Sequence, residues 1–432
     1  MSTAEDTVVD VCADLVRIDT SNYGDGSGPG ERTAAEHVAG LLTDAGLDPQ
    51  LIESEPGRAS VVARWAGSDP SRDALLLHGH LDVVPAMAAD WRVDPFAGEV
   101  IDGYLWGRGT VDMKGMDAMI LSVVAEMTAA DTRPPRDVVL AFTADEEAGG
   151  GLGAGHLVRH HAELFSGVTE AVSEVGGFSV TVDERRLYLI QTAEKGILWL
   201  RLTARGPAGH GSMIHPDSAV TRLAGAVARI GTHTWPVVLT ETPRAMARRW
   251  AELTGRELPL TEPEVLRREL GSTARWVEAT VRNTANPTVL SAGYKHNVVP
   301  GTATALVDIR FLPGQHDEAL ATVTGLAGDG IDIEVVHCDV ALETSFDGAL
   351  VDAMAAAIAC ADPGSQVLPY CLSGGTDNKH YSRLGVRGFG FAPLRLPPDL
   401  DFAALFHGVD ERVPVDALRF GAATLRSFVA AA

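Results

Sequence analysis

The alternation of short apolar runs with stretches of helical spacing constrains the fold of this chain more than any other feature. Residues 60–65, 74–78 and 138–142 form short apolar runs of the kind that buried strands have. Residues 118–129 show helical spacing, and another strand-like run follows at 168–173. Strands that alternate with helices build a mostly parallel sheet with helices on both faces. We therefore predict an α/β fold with a mixed, mostly parallel sheet flanked by helices.

The pattern changes after residue 194 and returns near residue 343. Residues 197–204 alternate like a half-buried strand, and two strand–helix–strand passes are predicted up to residue 342. Residues 240–280 are rich in Arg and Glu, have helical spacing and look like an extra segment. We predict a large α/β domain over residues 1–194 and 343–432, and an inserted α+β domain over residues 195–342 that includes the helical segment.

Charge and cysteine usage narrow the class of protein. The formal net charge of −23 argues against partners that need a basic surface, such as nucleic acids and anionic membranes. The first residues, MSTAEDTVVD, lack the order of a signal peptide, and no apolar stretch is long enough to span a bilayer. The four cysteines are scattered without a CxxC pair, which favours reduced, buried thiols. We therefore expect a cytoplasmic protein.

Polar side chains follow the predicted strands at the point where each strand ends. Three adjacent acids come after the run at 138–142, and they are Asp145, Glu146 and Glu147. Further polar groups follow other apolar runs or glycine-rich turns, and they are His78, His80, Asp82, Asp112, Glu174 and His407. In open α/β sheets, ligands bind just beyond the carboxyl ends of the strands. We therefore expect these loops to meet at one rim of the sheet.

Each motif alone has an ordinary explanation, because acid runs are usually solvated and histidines are often only hydrogen-bonded in a core. Their ordered occurrence at strand ends favours a site. Clustered carboxylates must take up protons or bind a cation. Two imidazoles with three carboxylates suit zinc, with manganese or cobalt as alternatives, and five ligands suit two zinc ions that share one carboxylate. Spacing alone leaves open whether His78 or His80 faces the metal, because residues i and i+2 share a face on a strand.

Eight motifs in order resemble those of metallopeptidase family twenty. They are HGHLDVVP, GRGTVDMKG, TADEEAGG, SEVGG, ARGPAGHGS, KHNVVPG, SGGTD and HGVDER. The resemblance covers nearly the whole chain, and the family includes aminoacylases, acetylornithine deacetylase, succinyl-diaminopimelate desuccinylase, carboxypeptidases G and S, and dipeptidases. It implies a zinc-peptidase-like catalytic domain with two zinc ions per subunit and an inserted lid of the dimerisation type.

The resemblance also implies roles for the residues at the strand ends. Five of them would be metal ligands, namely His80, Asp112, Glu147, Glu174 and His407. Asp112 would bridge the two metals and precede a cis peptide bond. Glu147 and His407 would complete one metal site, and Glu174 the other. Asp82 would orient the imidazole of His80, and Glu146 would be the general base. Asp145 is assigned a structural role.

Substrate contacts are implied at further positions. His210 in the lid resembles a histidine that donates to the oxyanion, often in the partner subunit, and His215 is the weaker candidate. Residues that resemble substrate-binding positions are Asn297, Arg310, Gly374 and Gly375. Arg310 would pair with a substrate carboxylate. Taken alone, these residues have plainer interpretations: a surface histidine, a surface ion pair and a glycine turn.

Two departures from the family pattern stand out. SEVGGF carries Val175 directly after Glu174, where the familiar pattern continues with glycine, although Glu174 remains the only acid in this motif. The segment 240–280 enlarges the lid and resembles the longer carboxypeptidase S and aminoacylase types. That enlargement puts the standard homodimer through the lid in question.

The sequence therefore predicts a zinc-dependent hydrolase of an amide bond next to an amino acid with a free carboxylate, cut by a hydroxide shared between the metals. Its substrates would be small molecules, either N-acyl amino acids or short peptides. A dipeptidase or carboxypeptidase is the close alternative to an aminoacylase. A member that binds peptides or metal without turnover is the non-enzyme alternative, and the presence of Glu146 and all five ligands argues against it.

Overall fold

The computed structural model of the protein describes residues 2–182, 184–270 and 274–432. Its helices are α1 (Ala4–Arg17), α2 (Arg32–Asp44), α3 (Lys114–Ala129), α4 (Ala154–His160), α5 (Ala219–Gly231), α6 (Glu241–Thr254), α7 (Pro263–Leu270), α8 (Ala274–Glu278), α9 (His316–Ala327), α10 (Ala349–Ala361), α11 (Asn378–Tyr381) and α12 (Val415–Val429).

The strands are β1 (Gln50–Glu55), β2 (Arg58–Trp65), β3 (Ala74–His80), β4 (Glu99–Ile101), β5 (Tyr104–Trp106), β6 (Val138–Thr143), β7 (Val168–Ser173), β8 (Phe178–Val182), β9 (Arg185–Glu194), β10 (Gly196–Arg205), β11 (Gly209–His210), β12 (Thr284–Ala292), β13 (Val298–Val299), β14 (Thr302–Phe311), β15 (Ile331–Asp339), β16 (Leu342–Glu343), β17 (Gln366–Leu372), β18 (Arg387–Gly390) and β19 (Arg412–Pro414).

The large sheet has the order β1-β2-β6-β3-β7-β18-β9-β16, and β8 and β17 also pair with β9. The central pairs β6–β3, β3–β7 and β7–β18 are parallel, whereas β1–β2 and β2–β6 at one edge are antiparallel. β3 and β6 are buried along their whole length, as strands covered on both faces by helices must be. The predicted mixed, mostly parallel sheet flanked by helices is confirmed.

The apolar residues of strand β3 pack in two different hydrophobic cores. Leu75 and Leu77 belong to the core that also contains buried residues of α1, α3 and α12. Leu76 points to the opposite face and packs in a second cluster with Leu157 of α4 and Tyr381 of α11. Because successive side chains of a strand alternate between faces, a continuous apolar run is needed to bury both sides of this sheet.

The lid contains an antiparallel sheet of the order β12-β14-β10-β15. Along β10, Leu198, Leu200 and Leu202 are buried in a separate core with side chains of α5 and α9. Residues between them face away from this core, and Trp199 is 43% exposed. The alternation predicted for residues 197–204 therefore covers one face of the lid sheet with helices and leaves the other face open.

The helical segment at 240–280 packs differently from the prediction. The buried side chains Met246, Trp250 and Leu266 belong to the large core and not to the core of the lid. Helix α6 lies against β17 of the large sheet. The segment therefore covers the large domain instead of enlarging the lid, and residues 271–273 of the predicted stretch lie outside the described residues.

The four cysteines, all of which are described, are free. Cys12 and Cys371 are buried as expected, but Cys338 and Cys360 are exposed, so the prediction of buried thiols is wrong for these two. None of the helices in the described ranges combines the length and the apolar character needed to span a bilayer.

Candidate metal centre

Three of the predicted ligands follow neighbouring parallel strands. His80 is the last residue of β3, Glu174 follows β7, and Glu147 lies in a short 3-10 turn after β6. β3 runs parallel to both β6 and β7, and His80 is in register with Thr143 at the end of β6. Because the carboxyl ends of parallel strands share one edge of a sheet, these side chains meet there.

Asp112 lies between the two predicted histidine ligands. Its Oδ1 atom is 3.1 Å from His80 Nε2, and its Oδ2 atom is 3.2 Å from His407 Nε2. Glu174 Oε2 lies 3.5 Å from the same nitrogen of His80, and Glu147 Oε2 lies 3.1 Å from the same nitrogen of His407. The five side chains therefore form two groups, each with one imidazole and one carboxylate of its own, that share Asp112.

The two groups differ in their access to solvent. The side chain of His80 is 1% exposed and that of Glu174 is 8% exposed. By contrast, 53% of the His407 side chain is exposed, although only 6% of the side chain of its partner Glu147 is exposed. The imidazole of His80 is thus enclosed by protein, while that of His407 is partly open to solvent.

Asp82 organises the loop that carries the acid triplet. Its carboxylate accepts hydrogen bonds from the backbone N–H groups of Glu146 and Glu147, at 3.0 and 3.1 Å. The side-chain amide of Asn22 donates a further hydrogen bond to it at 2.9 Å. His80 Nδ1 lies closer to the backbone carbonyl of Asp82, at 2.9 Å, than to its carboxylate, at 3.5 Å. The predicted contact with the imidazole therefore runs mainly through the main chain.

Glu411 holds the loop of Asp112 in a comparable way. Its Oε1 atom accepts hydrogen bonds from the backbone N–H groups of Val111 at 2.7 Å and of Asp112 at 3.2 Å. Its Oε2 atom forms a short ion pair with the buried guanidinium of Arg108. The peptide bond between Asp112 and Met113 is cis, as the resemblance implies. Glu411 lies within the HGVDER motif, but nothing in the sequence pattern distinguishes it from the other acids there.

The pKa values show how strongly these groups interact. Hydrogen bonds with Asp112 and then Glu147 raise the pKa of the His407 imidazole to about 11. Burial, followed by the charge of Asp112, raises the pKa of Glu147 to about 7. Burial is also the largest cause that raises the pKa of Glu174 well above its ordinary value. Carboxyl groups whose pKa values are raised by burial and by neighbouring carboxylates indicate an excess of negative charge in the site.

A divalent cation fits this arrangement. Ligand atoms of His80, Asp112 and Glu147 lie within 4.8 Å of one another, and so do those of His80, Glu146 and Glu174. Among the described residues, the buried Oε1 atom of Glu147 has no hydrogen-bond partner, although buried polar atoms normally have one. Mixed imidazole and carboxylate donors suit Zn²⁺, Mn²⁺ or Co²⁺ better than Ca²⁺ or Mg²⁺.

A cavity of about 420 Å³ opens onto these groups. This volume suits a small molecule, because ligand pockets typically measure about 300–1,000 Å³. Part of its wall is ionisable and consists of Asp112, Glu146, Glu147, Glu174 and His407. The remainder of its wall is formed by Val175, Leu372, Ser373, Gly374, Gly375, Ala403 and Phe406. The two predicted glycines thus lie beside the metal ligands, and their binding role stays a prediction.

The other predicted substrate-binding residues lie on the lid and do not line this cavity. His210 pairs with Val298 across the ladder between β11 and β13, directly beside Asn297. Arg310 forms a bidentate ion pair with Asp308 on the same strand, with distances of 2.8 and 3.1 Å. The structure therefore brings His210 and Asn297 together but not to the metal ligands, and the roles of all three stay predictions.

The two other histidines that the sequence raised have structural partners. His78 Nε2 lies 3.0 Å from Asn378 Oδ1, and its ring packs against Tyr381. Burial lowers the pKa of His78 to about 4, so its imidazole is neutral. His215 donates from Nε2 to the backbone carbonyl of His210 at 2.9 Å, which holds the lid loop together. His78 belongs to neither group of candidate ligand atoms.

One buried cation beside the candidate base was not predicted. Lys379 is 3% exposed, and its Nζ atom lies 3.8 Å from Glu146 Oε1 and 3.6 Å from Asp339 Oδ2 at the end of β15. It therefore connects the large domain to the lid next to the acid triplet. The lysine comes four residues after Gly375 of the SGGTD motif. Nothing in the sequence distinguishes a lysine at this position from an ordinary surface residue.

An α/β sheet whose carboxyl edge carries clustered imidazoles and carboxylates beside a small-molecule cavity, with an inserted lid, defines a metallopeptidase-like hydrolase. The sequence pattern of Peptidase family M20/M25/M40 matches residues 76–431, and the chain belongs to this family. It is accordingly a hydrolase that acts on amide or peptide bonds.

Curated relatives cover most of the chain. The probable carboxypeptidase S-like 2 of Dictyostelium discoideum is 30% identical over 386 residues, which span 82% of this chain and 71% of that protein. Human aminoacylase-1 is 28% identical over 380 residues, which span 85% of this chain and 82% of that protein. The chain is thus similar to both a carboxypeptidase-like protein and an aminoacylase.

Solved structures share the whole architecture. The M20 family metallo-carboxypeptidase Sso-CP2 from Sulfolobus solfataricus superimposes with a TM-score of 0.76 at 18% identity and covers 99% of both chains. Human carnosine dipeptidase 1 gives a TM-score of 0.70 at 17% identity and covers 99% of this chain and 96% of that one. These similarities show a common fold that includes the lid.

Proposed function

We propose that this protein hydrolyses the amide bond next to an amino acid with a free carboxylate, in N-acyl amino acids or short peptides. The observation that supports this most is the position of Asp112 between the imidazoles of His80 and His407. A shared carboxylate is what a two-metal site needs, because its ions lie only about 3.5–4 Å apart, as in aminopeptidases. We propose Zn²⁺ at both positions, with Co²⁺ or Mn²⁺ as alternatives.

The candidate ligands fall into the two groups that the distances define, and the groups share Asp112. His80, Asp112 and Glu174 would hold one ion, and Asp112, Glu147 and His407 would hold the other. When bound, the ions supply a Lewis acid that lowers the pKa of water and polarises the amide carbonyl. Asp82 and Glu411 act as positioning residues, because they hold the backbone of the ligand loops by hydrogen bonds.

Glu146 is the general base in this proposal. It lines the cavity, and its carboxylate lies within 4.8 Å of ligand atoms of His80 and Glu174. Burial raises the pKa of Glu146, and a proton-transfer group works best when its pKa approaches the working pH. Glu146 takes a proton from the attacking water and later gives it to the departing nitrogen. The buried ammonium of Lys379 keeps its carboxylate oriented.

The free carboxylate of the substrate requires donors near the amide. Gly374 and Gly375 bring backbone groups to the cavity wall. The lid carries three further candidates, namely Arg310, Asn297 and His210. They reach the substrate only when a lid moves over the cavity. His210 then donates to the developing oxyanion. Arg310 must exchange Asp308 for the substrate carboxylate.

A homodimer through the lid is part of the proposal. On the open face of the lid sheet Trp199 and Val289 are exposed apolar side chains, and Leu306 of β14 lies on the same face between their strands. Contiguous exposed apolar surface is typical of protein contacts. Because segment 240–280 packs on the large domain, it leaves this face uncovered. A partner's lid on this face would also let His210 act on a neighbouring site. Measurement of the molar mass in solution tests this point.

The substrate class is decided by a paired comparison. The zinc-loaded protein is assayed on N-acetyl amino acids and on unblocked dipeptides that share the same C-terminal residue. An aminoacylase prefers the acetylated compound, and a dipeptidase prefers the dipeptide because it recognises the free amine. Hydrolysis of neither compound by folded, metal-saturated protein, with Glu146→Gln as the blank, contradicts the proposed function.

A further inference from the structure

The residue after the ligand Glu174 has an unusual backbone. Val175 has a φ of 54°, in the left-handed region that glycine adopts without strain. The other described residues with positive φ and a side chain are Asp, Glu or His, which tolerate this region better than a β-branched residue does. A glycine at this position would relax the backbone, so whatever the valine contributes comes from its side chain.

The loop around Val175 is fixed by main-chain contacts. The N–H of Gly177 donates to Leu189 O at 2.6 Å, and the carbonyl of Gly176 accepts a hydrogen bond from Ala392 N–H at 2.7 Å. A Cβ atom on Gly176 would lie only 1.9 Å from Gly390 O. Gly176 therefore has no room for a larger side chain.

Of Val175, Gly176 and Gly177, it is Val175 whose position has room for different side chains. A Cβ atom on Gly177 would lie 2.9 Å from Pro393 N, so that position is closed as well. The phenol of Tyr370 donates a short hydrogen bond to the backbone carbonyl of Val175. The main chain is thus held from both sides, while Val175 is half-buried, packs against the large core and also lines the cavity.

Val175 is one part of an apolar section of the cavity wall. Leu372, Ala403 and Phe406 line the same cavity as Val175 and the candidate base Glu146. Leu372 comes from the end of β17, and the other two come from the turn before His407. Three separate chain segments therefore place apolar groups beside the carboxylates, where a polar wall would solvate the metal ligands better.

We propose that Val175 is a specificity-determining residue that makes this cavity prefer substrates with a bulky apolar group beside the scissile amide, such as a branched aliphatic or benzyl group. This inference rests on the proposed amide hydrolysis. The apolar group belongs either to the amino acid or to the acyl part. Contact with the isopropyl group removes apolar surface of the substrate from water, which favours the bulky compound over a small one.

Val175→Gly is the direct test, because glycine suits the backbone and the fold should be kept. Values of kcat/KM are measured for N-acetyl-alanine, N-acetyl-leucine and N-isovaleryl-alanine, which place the bulk on neither side, on the amino acid or on the acyl group. The ratio of a bulky compound to N-acetyl-alanine should fall about tenfold in the variant. The bulky compound whose ratio falls identifies the side that Val175 contacts.

Asp131→Gly is the matched control. Asp131 has a φ of 51° on the exposed surface after α3, so this change relaxes a similar backbone away from the cavity. Its substrate ratios should stay within about twofold of the wild type. If Val175→Gly leaves both ratios unchanged, or only lowers the melting temperature, Val175 is a packing residue and the inference is wrong.

Binding measurements separate this inference from the proposed function. In metal-loaded Glu146→Gln protein, calorimetry gives Kd values for the same three compounds with and without Val175→Gly. A tenfold loss of preference for a bulky compound supports the apolar wall even without turnover. Unchanged Kd ratios overturn it, whereas absence of hydrolysis by the wild type contradicts the proposed function alone.

Discussion

The carboxylate of Asp82 accepts a hydrogen bond from the backbone N–H of Glu146 at 3.0 Å, so the residue that orients the first ligand loop also fixes the candidate base. Its second oxygen does the same for Glu147 at 3.1 Å. One buried side chain thus couples the strand end at His80 to the acid triplet. The geometry of the site depends on this link as much as on the ligands themselves.

Asp82→Asn should weaken the site without removing any ligand. An amide can accept from one of the two N–H groups, but its NH₂ group then faces the other donor. We expect a loss of about 1–3 kcal/mol in the free energy of unfolding and of about 10–100-fold in metal affinity. Urea unfolding and zinc competition titration measure both. Asp69→Asn, at an exposed turn, is the matched control, and native metal affinity of Asp82→Asn would rule out the link.

Glu146→Gln should separate turnover from metal binding. The glutamine keeps the shape of the side chain but cannot accept a proton, so kcat should fall by at least about 100-fold. Elemental analysis should still find the metal content of the wild type. Glu147→Gln is the contrasting variant, because it removes a ligand and should lose metal. If Glu146→Gln turns over substrate at the normal rate, another group is the base.

His407→Ala should lower the metal content of the purified protein. This imidazole lies 3.2 Å from Asp112 and 3.1 Å from Glu147, and its loss leaves one ion with carboxylates only. Metal affinity should fall by a factor of about ten or more. The exposed His316, which pairs with Asp317 on α9 of the lid, provides the matched His316→Ala control. Equal metal content in the two variants would exclude His407 as a ligand.

We also predict how the ion pair of Asp362, which is remote from the metal ligands, makes stability depend on pH. Hydrogen bonds from Arg186, at 2.5 and 2.7 Å, and from Tyr188, at 2.9 Å, lower the pKa of Asp362. The unfolded value is about 3.9, so this stabilisation is complete above that pH and is lost as the pH falls through the lower, folded value. Asp362→Asn should therefore cost about 1–2 kcal/mol near neutral pH, because Arg186 is partly exposed.

Urea unfolding at about pH 7 and about pH 3.5 checks this prediction. The difference between the wild type and Asp362→Asn should shrink at the lower pH, because Asp362 then takes up a proton in the unfolded wild-type protein and this proton uptake stabilises the unfolded state. A difference that grows on acidification would show that the contribution has the opposite sign.

The ends of the buried strands were the most predictable part of the site. β3 and β6 have apolar residues on both faces, so their limits are visible in the sequence, and His80 and Glu147 follow from them. β12 was not predicted, because most of its residues face solvent and its pairing with β14 contains a bulge. The strand β1 at the sheet edge was not predicted either, because its residues are exposed or only partly buried.

Packing partners were less predictable than elements. The helical spacing at 240–280 shows that α6 has a buried face, but the spacing is the same whichever core receives it. Trp250 is fully buried in the large core, which only the three-dimensional structure reveals. Contacts such as Glu411 with Val111 and Lys379 with Glu146 join distant parts of the chain, and no local pattern marks them.

The central claim is that Asp112 is shared between two metal ions, and crystals grown with Zn²⁺ test it most directly. An anomalous difference map recorded at the zinc edge should contain two peaks about 3.5–4 Å apart, one on each side of the Asp112 carboxylate. The first should contact His80 and Glu174, and the second His407 and Glu147. A single peak, or two peaks that do not share Asp112, would contradict the claim.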